Sequence, residues 1–372
     1  MTAGRVQRRV IIDAFDPRKT KAGGIDTCIR GLLKYRPADV EIHIAGVDTQ
    51  GDLELGARHE WDFEGSPYSF TAIARLDNTD MRPKVPHTLK MVGGIARFRP
   101  GRDADVIQSH RATIGAFVGR TTSKPQVQFL HNDGETNLKT AGESYFSRAA
   151  WAYRALEHAT VRRAVDVVVF NAAGAERLRA VSDRVRFSPT WYEPSIFFPA
   201  GVARAERRGR LLWVARMDPA KDPVLAVETL ANLGAEYSLT MVGAGTLAEE
   251  PRRRAAELGV ADRVDFAGVV PKDRVGELMR AHDVLLMTSH FEGYPRAVVE
   301  ALACGLPVVS TFGGEPNGLV SDGANGYRVE PRDPAALARA IERCADIGAD
   351  ACVSSVSGLS AAERVPDVLG WR

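Results

Sequence analysis

Glu292 and Glu300 are the residues whose type and setting point most directly to chemistry. They flank a turn made by Gly293, Tyr294 and Pro295, and the run from Asp283 to Ser289 is apolar enough to predict a buried strand ending just before it. Pro295 can take the first helical position, where its missing N–H is no loss, and Gly305 can end the same short helix. Glu292 then lies in a strand-to-helix loop, and Glu300 lies inside a helix of small apolar residues. A helix start carries unpaired N–H groups and a positive dipole end, which suits phosphate. A carboxylate among Ala, Val and Leu is costly to bury unless something hydrogen-bonds to it, and the two hydroxyls of a sugar diol match its two oxygens. Two acids on either side of an anion-binding helix start therefore suggest a nucleotide-sugar site. The same spacing also occurs on solvated surfaces; the strand, loop and helix around it favour the site.

The elements that must position these acids follow from length and pattern. A chain of 372 residues is long for one core, so two domains are expected. A hydrophobic fraction of 45% with 26% charged residues is that of a soluble globular protein, and a net charge of +2 gives no general pull toward nucleic acid. No run approaches the ~18–20 apolar residues of a membrane span, and the first residues lack a signal-peptide core. Cys28, Cys304, Cys344 and Cys352 show no metal-ligand spacing and read as reduced thiols of a cytoplasmic protein.

Short apolar runs alternating with helical patterns predict parallel βαβ units. The expected strands are 9–15, 40–47, 105–109, 127–130 and 165–170 in the first half, then 210–215, 238–243, 263–267, 283–288 and 307–311 in the second. A Pro-, Gly- and charge-rich stretch near 195–208 reads as the linker. The expected organisation is an α/β protein with two Rossmann-like doubly wound parallel-sheet domains facing across a cleft. These are residues 1–197 for the acceptor and 198–355 for the nucleotide sugar, with a tail, 356–372, crossing back to the first domain. Ligands of such sheets sit at strand C-terminal ends.

With these motifs in view, the chain resembles the retaining GT-B glycosyltransferases of family 4, most strongly over residues 209–335 and more weakly over 9–35, 105–135 and 160–200. The resemblance implies that Glu300 holds the nucleotide ribose and that Glu292 meets the donor sugar. It also matches Arg216 and Lys221 to the family's Arg-x4-Lys element, where a planar guanidinium fork and a mobile ammonium offset charge on the departing diphosphate. Two positions depart from the family pattern: Ala215 and Asp222 stand where Gly is common. Gly23 and Gly24 match the first-domain loop over the diphosphate. His131 matches a histidine beside the reacting sugar, although Asn132 separates it from Asp133, where the family has Asp directly after the histidine. His110 and Asp133 are candidates for the acceptor side. Val270 is expected to reach the nucleobase, and Gly293, Tyr294 and Pro295 the donor. Glu commonly occupies the place of Asn317.

Other motifs are set aside. Gly243 and Gly245 form only a fragment of a dinucleotide fingerprint, which excludes a nicotinamide site. Asp103 and Asp105 have a metal-binding spacing but simply precede a strand, and the resemblance implies side-chain cations in place of a metal; no metal or other cofactor is expected. Residues 81–102 carry six Lys or Arg and no acid. A helix there with Leu89, Met91, Val92 and Ile95 on one face could contact the inner membrane face peripherally, or could pack that face on the core. The implied activity is transfer of a hexose-type sugar from a UDP- or GDP-sugar to a hydroxyl acceptor: a sugar, a glycolipid or a small molecule. The alternatives are a catalytically inactive nucleotide-sugar-binding partner subunit and a sugar-nucleotide epimerase of the same fold.

Overall fold

The structure, a computed structural model, describes residues 6–19, 24–76, 87–131, 150–199 and 209–370. Within them the apolar runs form short strands covered on both faces. This is why the sequences just after Asp166 and from Val284 read as continuous hydrophobic stretches with no alternation. The chain divides into two units, Met1–Pro189 with Val365–Arg372, and Thr190–Arg364.

The first unit is built on an eight-stranded sheet. Its strands are β1 (Gln7–Ile12), β2 (Val40–Asp48), β3 (Arg58–Phe63), β4 (Ser66–Arg75), β5 (Val106–Ser109), β6 (Gln126–Leu130), β7 (Asp166–Val169) and β8 (Val185–Phe187). The order is β3-β4-β2-β1-β5-β6-β7-β8, parallel except for the β3–β4 hairpin. Sequence pattern does not anticipate β3, β4 or β8. β3 is half exposed, with Arg58, Glu60 and Asp62 outward, so it offers no apolar run. The hairpin turn is the pair Glu64 and Gly65, with φ of 51° and 81°, a mirror-type turn that matches strand twist. Two arginines, Arg9 fully buried and Arg186 partly exposed, tie down the chain end that belongs to this unit. Arg9 donates to the Leu369 carbonyl at 3.1 Å, and Arg186, paired with Asp166 at 2.9 and 2.8 Å, donates to that of Val368.

The second unit holds a six-stranded parallel sheet of β9 (Arg210–Val214), β10 (Ser238–Val242), β11 (Val264–Gly268), β12 (Val284–Met287), β13 (Val308–Thr311) and β14 (Gly326–Val329). Its order is β11-β10-β9-β12-β13-β14. The chain winds outward from β9 in one direction and from β12 in the other, so the loops leaving these neighbours part and open a crevice at their C-terminal ends. The core beneath contains Trp213, Met241, Leu286, Val299 and Leu302, all almost fully buried. β14, a short edge strand, is the element of this sheet that the sequence pattern misses.

Candidate active site

In the second unit the switch point gathers the chemically capable side chains. The loop after β9 carries Arg216 and Lys221, and the loop after β12 carries Glu292. Lys221 Nζ donates to Glu292 Oε1 at 2.5 Å, with both side chains mostly buried. Ser289 Oγ donates to the same oxygen at 2.8 Å. Arg216, by contrast, is largely exposed and pairs with Asp218 at 3.0 Å.

The two loops are held together by Thr288, fully buried at the end of β12. Its Oγ1 accepts from Trp213 Nε1 at 2.9 Å and lies 2.9 and 2.8 Å from the carbonyls of Lys221 and Asp222. The His290 N–H adds a bond to the Ala220 carbonyl at 2.8 Å. Asp222 explains one departure from the family pattern. Its backbone is left-handed, with φ 47°, the conformation for which Gly is usual. Asp tolerates it, and here its carboxylate also caps the helix Pro223–Ala231 and pairs with Arg332. The other departure, Ala215, presents its carbonyl to Gly243, where an added Cβ would stand 1.8 Å from that oxygen.

Glu300 follows on the helix Arg296–Ala303. Pro295 is the residue just before this helix, in extended conformation, so the helix begins one residue later than the expected first position. Among the described residues no side chain caps its start. Its end is a Schellman closure: the Gly305 and Leu306 N–H groups donate to Leu302 and Ala301, with Gly305 at φ 71°. Glu300 is 8% exposed, with Lys272 Nζ at 3.8 Å. Burial pulls the Lys272 ammonium below its ordinary value, and Glu300 pulls it back up. Lys272 also lies 5.4 Å from the Phe197 ring centre. Sequence reasoning missed Lys272; its only local signal is its place two residues beyond Val270, which is itself partly buried against the core.

The loop after β13 braces this region. Asn317 Nδ2 donates to the Gly293 carbonyl at 3.0 Å. Glu315, fully buried, accepts the N–H groups of Asn317 and Val320 at 2.9 and 3.2 Å. Burial, reinforced by Glu315, raises the Tyr294 hydroxyl above its ordinary range.

In the first unit, His110 ends β5 and His131 follows β6. Their ring nitrogens Nδ1 and Nε2 are 2.9 Å apart, and the rings stack on one another and His131 on Phe170. Burial, with Arg111 adding to it, lowers the His110 imidazole to about 3. A Cβ added at Gly24 would stand 4.0 Å from His131 Nδ1, so the start of the helix Gly24–Tyr35 faces this ring. Cys28 Sγ and one ring nitrogen of each histidine lie within 4.8 Å of one another, close enough to raise the question of a bound cation. Gly23 and Asp133 lie outside the described residues. Asp105 Oδ2 accepts the Arg8 N–H at 2.9 Å, so it serves the β1–β5 edge.

The helix His87–Phe98 turns Met91 and Ile95 into the core and leaves Leu89 exposed, so the four apolar residues of the basic stretch do not share one outward face. Among the described residues no helix is long and apolar enough to cross a membrane. A cavity of about 1050 Å³, lined by residues such as Arg8, Glu41 and Asp103, opens at the starts of the first-unit strands, opposite the end where such sheets bind ligands.

Residues 197–348 match the family described as glycosyl transferases group 1, and residues 23–191 match the glycosyl transferase 4-like domain. A D-inositol 3-phosphate glycosyltransferase of Acidothermus cellulolyticus is 35% identical over 272 residues, covering 66% of this chain; the chain spans 60% of that relative's length. The protein of the same name from Streptomyces griseus subsp. griseus is 32% identical, covering 92% of this chain and 83% of its own. Among solved structures, Anabaena HepE in complex with UDP and glucose has a TM-score of 0.72 at 17% identity, covering 98% of each chain. The chain therefore belongs to the group 1 glycosyl transferases, with the two parallel-sheet domains of the GT-B fold.

Proposed function

We propose that this protein is a retaining, metal-independent glycosyltransferase that moves a hexose-type sugar from a nucleoside-diphosphate sugar to a hydroxyl acceptor. The observation that carries this reading is the 2.5 Å contact of Lys221 with Glu292 at the β9–β12 switch point. It supports reading Lys221 as the cation for a diphosphate and Glu292 as the carboxylate for sugar hydroxyls. The uncapped helix start after Pro295 offers N–H groups to the same phosphates. Glu300 then takes the ribose hydroxyls, and Lys272 keeps its charge balanced until they arrive. In the first unit the resemblance supports a sugar contact for His131 and a diphosphate contact for Gly24, while buried His110 stands behind His131.

As the acceptor oxygen bonds to the anomeric carbon, the bond to the diphosphate breaks on the same face. The acceptor's proton passes to the leaving oxygen, and Arg216 and Lys221 offset the growing negative charge. HepE, of the same fold, holds UDP and glucose, which favours UDP as the first nucleotide to test. The relatives named for D-inositol 3-phosphate make a phosphorylated polyol the first acceptor to test.

The experiment is thermal unfolding with UDP, GDP, ADP and CMP and their sugar conjugates, with magnesium or chelator. A ligand at 100 times its Kd stabilises by ~2.7 kcal/mol. The expected result is a shift selective for one nucleotide, indifferent to chelator and lost in Glu300→Ala. A selective donor that is converted with no acceptor present, to an epimer, would replace transfer by epimerisation. Absence of any nucleotide shift would overturn the site.

A further inference from the structure

We propose that Arg9, Gln108 and His110 form a one-directional hydrogen-bond chain that holds His131 as the tautomer protonated on Nδ1, a donor toward the sugar. This rests on the reading of His131 as a sugar contact. The direction of the chain follows from what each group can do. Arg9 is fully buried, and its Nη1 lies 2.8 Å from Gln108 Oε1. A guanidinium only donates, so the amide oxygen must face it, and the amide cannot be turned over without setting donor against donor. Arg9 is itself fixed by the Leu369 carbonyl at 3.1 Å and by Gln7 Oε1 at 3.0 Å. The Gln108 amide nitrogen therefore faces His110 Nε2, at 2.9 Å. An amide NH2 only donates, so His110 Nε2 carries a lone pair.

His110 is 3% exposed and packed against Phe129, a setting that disfavours the doubly protonated ring. Its one proton is then on Nδ1, 2.9 Å from His131 Nε2. That nitrogen must accept, which leaves the His131 proton on Nδ1, on the side of Gly24. His131 can thus donate to a sugar or phosphate oxygen but has no free lone pair with which to take a proton from the acceptor. The same logic answers the question of a cation at Cys28, His110 and His131. His110 Nδ1 holds a proton and the lone pair of Nε2 accepts from the Gln108 amide, so neither nitrogen offers a metal an unused lone pair.

Arg9, Gln108 and His110 are positioning residues, and the test reads the tautomer directly. The full chain labelled with 15N-histidine gives two-bond proton–nitrogen correlations that separate protonated from bare ring nitrogens. The His110→Asn and His131→Asn variants assign the signals by their loss. Expected for wild type is a protonated Nδ1 and a bare Nε2 in both rings at neutral pH, unchanged by chelator. A His131 signal from a protonated Nε2, or a spectrum that changes on adding zinc at one equivalent or removing it, would overturn the chain. In Gln108→Glu the carboxylate can only accept, so the His110 Nε2 signal must move to the protonated position; a bare Nε2 there also refutes the proposal.

With UDP-glucose as donor, the same variant should lose turnover by roughly tenfold or more while protection by UDP alone is retained. A changed His110 signal with full turnover refutes the sugar contact and spares the hydrogen-bond chain. If Gln108→Glu does not fold, the wild-type spectrum alone decides.

Discussion

Replacing Lys221 by Met keeps the length of the side chain and removes its charge, so it isolates the contact with Glu292. At the observed 2.5 Å two unit charges would attract by about 1.7 kcal/mol in bulk water and about 7 kcal/mol at an effective dielectric of 20. The side chains are 17% and 16% exposed, which places the pair between these limits. After desolvation and side-chain ordering, a net coupling of about 1–3 kcal/mol remains. Ser289 still donates to Glu292 in the variant, so the carboxylate is not left bare and the loss stays within that range.

The measurement is a double-mutant cycle of Lys221→Met with Glu292→Gln. It is read by hydrogen exchange of peptides covering β9 and β12, because a two-unit chain need not unfold in one step. A parallel assay with UDP-glucose should show kcat lowered by about 10²–10³-fold in Lys221→Met, the scale for losing one group that meets developing charge. A coupling below about 0.5 kcal/mol would refute the pair. An unchanged kcat would refute the role of Lys221 at the diphosphate.

Three further outcomes can be checked alongside it. Thr288→Val strands the Trp213 indole N–H and frees the carbonyls of Lys221 and Asp222. We expect a loss of about 1–3 kcal/mol in second-unit stability with weaker UDP protection; wild-type values for both would show that the two loops are held by other means. Gly243→Ala combines φ 139° with a Cβ 1.8 Å from the Ala215 carbonyl, so it should destabilise by at least ~2 kcal/mol in a denaturant titration. A neutral effect would mean the turn is not closed as described.

First-unit stability should fall on acidification. Burial lowers His110 from its ordinary 6.5 to about 3. It also lowers His43 to about 4, with Arg58 adding to the effect. The unfolded chain therefore binds more protons below 6.5, so the stabilisation is complete above that pH and drains away as pH drops toward 4 and then 3. Exchange rates in β2 and β5 measured from pH 7 to 5, corrected for intrinsic chemistry, should rise relative to the second unit; a flat or opposite trend would contradict the buried neutral rings.

Much of the fold was readable because its signals are local. Runs such as Val284 to Met287 announce buried parallel strands through composition alone, and the turn from Gly293 to Pro295 marks a helix start within a few residues. The same locality singled out Glu292 and Glu300, the family resemblance added Arg216 and Lys221, and locality failed for β3, whose exposed polar residues give no apolar run. Partnership is a different matter. Lys221 meets Glu292 across 71 residues of sequence, and Arg9 meets Gln108 across 99. Lys272 reaches Glu300 from another helix, and Thr288 joins two loops that no motif links. Such contacts depend on which strands are neighbours and in what register. Register is settled by long-range pairing of the sheets and burial of their faces, so no window along the chain contains it.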